Sequence, residues 1–155
     1  MGLGSSITVR NTGQSAQHKH PVSEQIASEL FSLTLILQIP PSINHQYATV
    51  QGRRVLSSAG RRFKMHVGQE LLCLLARRNS ISSTLRVPDR SRLALDLRFY
   101  FVSGLRRDID GGLKITQDAL CEALGINDNR IVEVTLRKEV DAVTPRMELS
   151  LRVTD

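Results

Sequence analysis

Residues 92–101 read RLALDLRFYF, with Leu93, Leu95, Leu97, Phe99 and Phe101 at every second position. Side chains alternate across a strand, so this period of two commits the stretch to an extended segment with one apolar face. Such a strand is not stable alone. It needs neighbouring strands and a layer packed on its apolar side.

The rest of the chain offers both. Residues 31–39 (FSLTLILQI) are apolar and bounded by Pro40-Pro41, which predicts a buried strand. Residues 48–57 contain Gln51-Gly52 between short extended pieces, the pattern of a small hairpin or arm. Ser57 or Ser58 is placed to cap a helix running to about Arg77. Phe63, Val67, Leu71 and Leu74 share one face of it, and Arg61, Arg62, Lys64, Arg77 and Arg78 lie off that stripe. Residues 79–91 are polar, contain Pro88 and read as a loop. A second helix is expected over about Asp110 to Leu124, stopped by Gly125, with Leu113, Ala119, Leu120 and Leu124 inward. Residues 130–138 and 146–153 read as two strands around a turn at Asp141 and Pro145, and the expectation is a hairpin. There is no internal repeat. The fold class expected is α/β (α+β): a single domain with a mixed sheet of about four main strands, two packed helices and a small hairpin. With 155 residues the chain is long enough to bury one core. Residues 1–28 are polar and expected to be a disordered tail, leaving 29–155 as the domain. His18 and His20 in that tail read as solvated rather than as metal ligands.

Charge narrows the function. The chain holds 21 Lys+Arg against 15 Asp+Glu, a net charge of +6. Residues 1–50 are neutral, 51–92 carry +8, and 93–155 carry −2. The basic middle contains Arg53, Arg54, Arg61, Arg62 and Lys64. It suits a polyanion, with affinity that falls as salt rises. Aromatics are 4% with no Trp, which argues against base stacking on single strands as the main mode and for recognition of backbone and shape. Two cysteines make neither a disulfide framework nor a thiolate zinc site, and Cys73 and Cys121 are both expected to be buried. No apolar run approaches the ~20 residues of a membrane span. Residues 1–28 lack the apolar core of a signal peptide, so a cytoplasmic protein is expected.

The chemistry concentrates in residues 106–130. Asp108 and Asp110 follow the strongest strand, two residues apart. In an extended stretch both carboxylates project to one side and can face one ion. Gly111-Gly112 comes next, then Lys114 one helical turn after Asp110, and Asp128 sits ahead of the next strand. Carboxylate oxygens select Mg²⁺ or Mn²⁺ over zinc, and such ions activate water against a phosphodiester. Lys114 suits a phosphate oxygen. The alternative is that Asp108 and Asp110 cap the second helix, where its dipole favours acids. Asp118 and Glu122 continue the Lys114 face at steps of four and read as ion-pair partners. Asp96 reads as structural.

These residues resemble a known family. Asp108-x-Asp110, Lys114 and Asp128 are similar to the core of the RusA family of phage- and prophage-type Holliday junction endonucleases. Pro40-Pro41-Ser42-Ile43-Asn44-His45-Gln46-Tyr47 resembles the stretch that ends the family's first strand. Ser57, Gly60, Phe63 and Lys64 look like the opening of its first helix. The likeness covers about residues 33–153. Gly111 stands where the family usually has Asn, and Asn127 where it often has Asp. The resemblance implies a homodimer that resolves four-way DNA junctions in recombination and repair. Its paired symmetric nicks would leave a 5′-phosphate and a 3′-hydroxyl, with Mg²⁺ required and Mn²⁺ able to substitute. It implies Asp108, Asp110 and Asp128 as metal ligands and Lys114 at the scissile phosphate. Arg106 and Arg107, with Arg53, Arg54, Arg61, Arg62 and Lys64, would seat the DNA. No small-molecule cofactor and no membrane partner are implied. A catalytically weakened nucleic-acid-binding protein of the same fold is the alternative.

Overall fold

The computed structural model describes residues 31–77, 87–104 and 107–154. The expected tail at 1–28, with His18 and His20, lies outside the described residues, as does Arg106. In chain order the elements are β1 (Ser32–Leu37), a short helix α1 (Ile43–Gln46), β2 (Tyr47–Val50), β3 (Arg53–Leu56) and α2 (Ser58–Arg77). They continue with β4 (Arg92–Phe101), α3 (Leu113–Leu124), a 3-10 turn (Asp128–Arg130), β5 (Ile131–Val140) and β6 (Arg146–Thr154). Four strands form one mixed sheet in the order β1-β6-β4-β5, and β2 and β3 form a separate hairpin.

The expected β5–β6 hairpin does not form. β6 lies antiparallel between β1 and β4, while β5 lies parallel to β4 at the edge. Burial explains the order. Met147, Leu149 and Leu151 of β6 are fully buried, so β6 belongs in the middle, whereas most of β5 is exposed and tolerates an edge. A parallel neighbour requires a crossover connection, and α3 supplies it between β4 and β5. The chain then passes over the end of β4. The Asp141 N–H donates to the Phe101 carbonyl at 2.8 Å. The Asp141 carboxylate accepts from the Val143 and Thr144 N–H groups and from Arg146. These bonds, the one from Thr144 first, hold its carboxyl below the usual carboxylate range.

One face of the sheet carries the core. Leu33, Leu35 and Leu37 of β1, the leucines and phenylalanines of β4, and Met147, Leu149 and Leu151 of β6 point to the helices. Phe63, Val67 and Leu71 of α2 and Ile115, Ala119 and Leu120 of α3 meet them. Leu74, Leu113 and Leu124 are only partly buried, and Ile115 rather than Leu113 is the deep contact of α3. Cys121 is buried, but Cys73 is exposed. At 3.6 residues per turn Cys73 lies about a third of a turn from the centre of the Phe63–Val67–Leu71 stripe. α3 starts at Leu113, later than expected, because Gly111-Gly112 forms a turn ahead of it. It ends at Gly125, whose φ of 64° is the left-handed conformation that glycine adopts freely.

The opposite face is a mosaic of ion pairs: Arg98–Glu139, Arg137–Asp96, Arg146–Glu148 and Arg152–Glu133. Arg152 and Glu133 flank Ala94 in the register and join across it, which buries this small residue on an otherwise polar face. Near-balanced charge makes this face a poor polyanion surface. Asp96 is structural, as expected. Among the described residues no helix is long and apolar enough to cross a membrane.

Candidate active site and nucleic-acid interface

Three stretches meet at one turn, the first two joined by the β2–β3 hairpin and the third much later in the chain. The first is Pro40–Tyr47, the second Ser57–Gly60, and the third Asp108–Gly112. Gly112 packs against the prolines so closely that a Cβ there would lie 2.4 Å from Pro40 Cγ and 3.2 Å from Phe99 Cε1. Gln46, 2% exposed, ties the segments together. Its Nε2 donates to the Pro41 carbonyl at 2.9 Å and to the Gly111 carbonyl at 2.6 Å. Its own backbone carbonyl accepts from the Ser57 N–H at 2.9 Å. Gly60 sits against that same carbonyl, where a Cβ would approach to 2.7 Å. The Ser57 hydroxyl donates to the His45 carbonyl and accepts from the Gly60 N–H, closing the joint. Sequence reasoning did not single out Gln46. A glutamine is ordinarily a surface residue, and only the packing shows that it is buried.

The turn carries the first two acids. The Gly111 N–H donates to the Asp108 carbonyl and the Leu113 N–H to the Asp110 carbonyl, so the segment is two overlapping turns rather than extended chain. Asp108 and Asp110 are therefore not the i, i+2 pair of an extended strand. Nor do they cap α3: its N-cap is Gly112, with no side-chain bond, and there is no acid in its first turn. Both are exposed, and neither carboxylate has a partner among the described residues. Asp108 lines a cleft of about 190 Å³ with Pro40, Pro41, Asn44 and Arg107.

Asp128 goes elsewhere. It opens the 3-10 turn before β5, which Asn127 caps by accepting the Asn129 N–H at 3.0 Å. Lys114 Nζ donates to Asp118 Oδ1 at 2.6 Å and to Asp128 Oδ2 at 3.3 Å. The hydrogen bond to Asp118, then that to Asp128, raises the Lys114 pKa. Asp118 is thus the ion-pair partner expected of it. Glu122 is paired too, but with Lys64 of α2 rather than along its own helix. Cys121 lies beside Asp118 and Asp128 in a shallow pocket. Burial, with a smaller push from Asp128, drives its thiol up to about 11, so it is no nucleophile at neutral pH.

Three hard oxygen donors suit Mg²⁺ or Mn²⁺ by chemistry. By arrangement they do not fit one ion. Among the described residues no three His, Cys, Asp or Glu side chains converge closely enough to hold a metal. The third acid is held by an internal cation, the Lys114 ammonium.

The basic residues divide into held and free. The Arg54 guanidinium lies 4.1 Å from the Tyr47 ring centroid, Arg61 donates to the Leu56 carbonyl at 2.7 Å, and Lys64 pairs with Glu122. Arg53 and Arg62 are exposed, with no partner among the described residues. Arg53 and Arg54 stand on the β2–β3 hairpin, whose residues are exposed except at its base. Its turn, Gln51-Gly52, has positive φ at both residues, as a tight two-residue hairpin requires. Arg107 is beside Asp108 and reaches the Pro40 carbonyl at 3.5 Å. No family model matches the chain and no curated protein matches it, so the resemblance to the RusA family stands on these motif residues alone.

Proposed function

We propose that the chain is a structure-specific DNA endonuclease that acts in the cytoplasm as a homodimer and resolves four-way junctions by paired nicks. The observation that carries this reading is the meeting of the three motif stretches at the Gly111–Gly112 turn. A chance likeness of scattered residues gives no reason for prolines, a Ser-x-x-Gly opening and an acidic turn to pack on one another. Asp108 and Asp110 are the acids presented there, with Arg107 beside them for backbone phosphate. The hairpin and α2 add Arg53, Arg54, Arg61 and Arg62 as a cationic approach. The resemblance implies Mg²⁺ or Mn²⁺, and the carboxylates left open to such an ion are Asp108 and Asp110, since Lys114 engages Asp128.

The Lys114–Asp128 pair favours a second reading, a nucleic-acid-binding protein of this fold whose third acid is neutralised from within. One experiment separates the two. A labelled four-way junction is incubated with the protein, with and without Mg²⁺ or Mn²⁺, beside an Asp110→Asn variant. Symmetric nicking that the variant loses supports the endonuclease. Junction binding without cleavage in either metal supports the second reading. Equal affinity for junction and linear duplex without nicking overturns the endonuclease, and binding to neither overturns both.

A further inference from the structure

A cleft of about 330 Å³ opens at the end of β4, lined by Ile39, Phe101, Val102, Ser103, Arg107 and Pro145. That volume lies at the lower end of the range for small-ligand sites. The cleft shares Ile39, Phe101 and Arg107 with the smaller one that holds Asp108. A ligand in it therefore adjoins the acidic turn.

Its surroundings mix two chemistries. Ile39, Val102 and Pro145 are apolar lining, Val102 being 59% exposed at a strand end. Arg107, in the lining, and Lys138, outside it, are two cations above Phe101. Arg107 is 5.3 Å and Lys138 Nζ 5.8 Å from its ring centroid, and Lys138 also donates to the Arg107 carbonyl at 2.7 Å. The polar contacts of both side chains are to backbone carbonyls, so neither charge is met by a carboxylate among the described residues. Apolar side chains beside two cations that no carboxylate among the described residues meets suit one nucleotide: a base against Val102 and Pro145 and a phosphate at the cations.

We infer that this cleft is a subsite for a single unpaired nucleotide beside the phosphate at the Asp108 turn. The inference rests on the reading of the chain as a nucleic-acid enzyme or binder and names what that site selects. A base inside continuous duplex is stacked and paired, and extruding it costs energy. A base in a bulge or a mismatch is already free of its pair. The cleft thus favours DNA with an unpaired base over plain duplex.

The chain has no tryptophan, so Val102→Trp places a single fluorophore in the cleft lining. The variant is titrated with a four-way junction bearing one unpaired base at its centre, with a duplex of equal length and with a deoxynucleoside monophosphate. In parallel, the wild-type protein is titrated into the same junction carrying 2-aminopurine as the unpaired base, which needs no substitution in the cleft. Mobility shift of the wild-type protein reports binding separately. The expected results are quenching by the junction at about ten-fold lower concentration than by duplex, and a 2-aminopurine change that Arg107→Ala weakens about ten-fold. Junction binding in the mobility shift with neither fluorescence change overturns the subsite and leaves the proposed function standing. Quenching by the monophosphate without junction binding supports the subsite and overturns the junction reading. Equal quenching by duplex and junction overturns the claimed selectivity.

Discussion

Replacing Gln46 by Glu changes one heavy atom, Nε2 to oxygen, and tests the joint that holds the acidic turn. Gln46 is 2% exposed, and its Nε2 bonds the Pro41 and Gly111 carbonyls at 2.9 and 2.6 Å. Once ionised, the introduced carboxylate would aim an oxygen at both carbonyls. A neutral carboxyl can donate to only one of them. Forced protonation at pH 7 costs about 3.7 kcal/mol, from 1.36 kcal/mol per pH unit between an unfolded glutamate near 4.3 and neutrality. The lost hydrogen bond adds about 1 kcal/mol. The folded-state pKa of this carboxyl lies above its unfolded value, so the variant is nearest to wild type below about pH 4.3 and weakens as pH rises towards the folded value. Gln46→Leu loses both bonds, about 2 kcal/mol, with no such slope. Urea denaturation followed by circular dichroism at pH 4.5, 5.5 and 7 reads all three proteins. A Gln46→Glu protein within 1 kcal/mol of wild type at pH 7, or one whose loss does not grow with pH, refutes the reasoning.

Three further outcomes follow from the same geometry. Gly112→Ala drives a Cβ to 2.4 Å from the stiff Pro40 ring and is expected to cost about 1–3 kcal/mol, read as a lower thermal midpoint; unchanged stability means that the turn does not press on the prolines. Asp118→Asn removes the largest cause of the raised Lys114 pKa, which should fall towards the ordinary lysine value in an NMR titration of that side chain. The stability that this pair contributes is complete below the ordinary lysine value and lost as pH rises through the folded one. Because Lys114 is well exposed, it amounts to less than about 1 kcal/mol. A thiol reagent at pH 8 should modify Cys73 quickly and Cys121 only on unfolding; two equally fast thiols contradict the burial of Cys121.

Local periodicity was a reliable guide wherever one element decides its own form. The alternation in 92–101, the Phe63–Val67–Leu71 stripe, the Gln51-Gly52 turn and the stop at Gly125 all stand in the structure. Periodicity was misleading where a choice of neighbour was involved. Adjacent strands with a turn between them suggested a β5–β6 hairpin, yet β6 reaches across to β1 and β4. The site divides the same way. The acids and cations of the candidate site were visible, and the expected Lys114–Asp118 pair forms within one helix. The Gln46 joint, the pairing of Lys64 with Glu122 and the path of Asp128 to Lys114 were not visible.

A period of two or of 3.6 follows from backbone geometry within a few residues. Residue order was therefore enough to settle what most segments are and which face each one buries. Long-range packing chose which buried faces meet, and so brought Pro40, Gln46, Gly60 and Gly112 to one point. Contacts between residues tens of positions apart depend on close packing of whole elements, in which a missing Cβ at Gly112 or a single buried amide sets the fit. No local pattern carries that information.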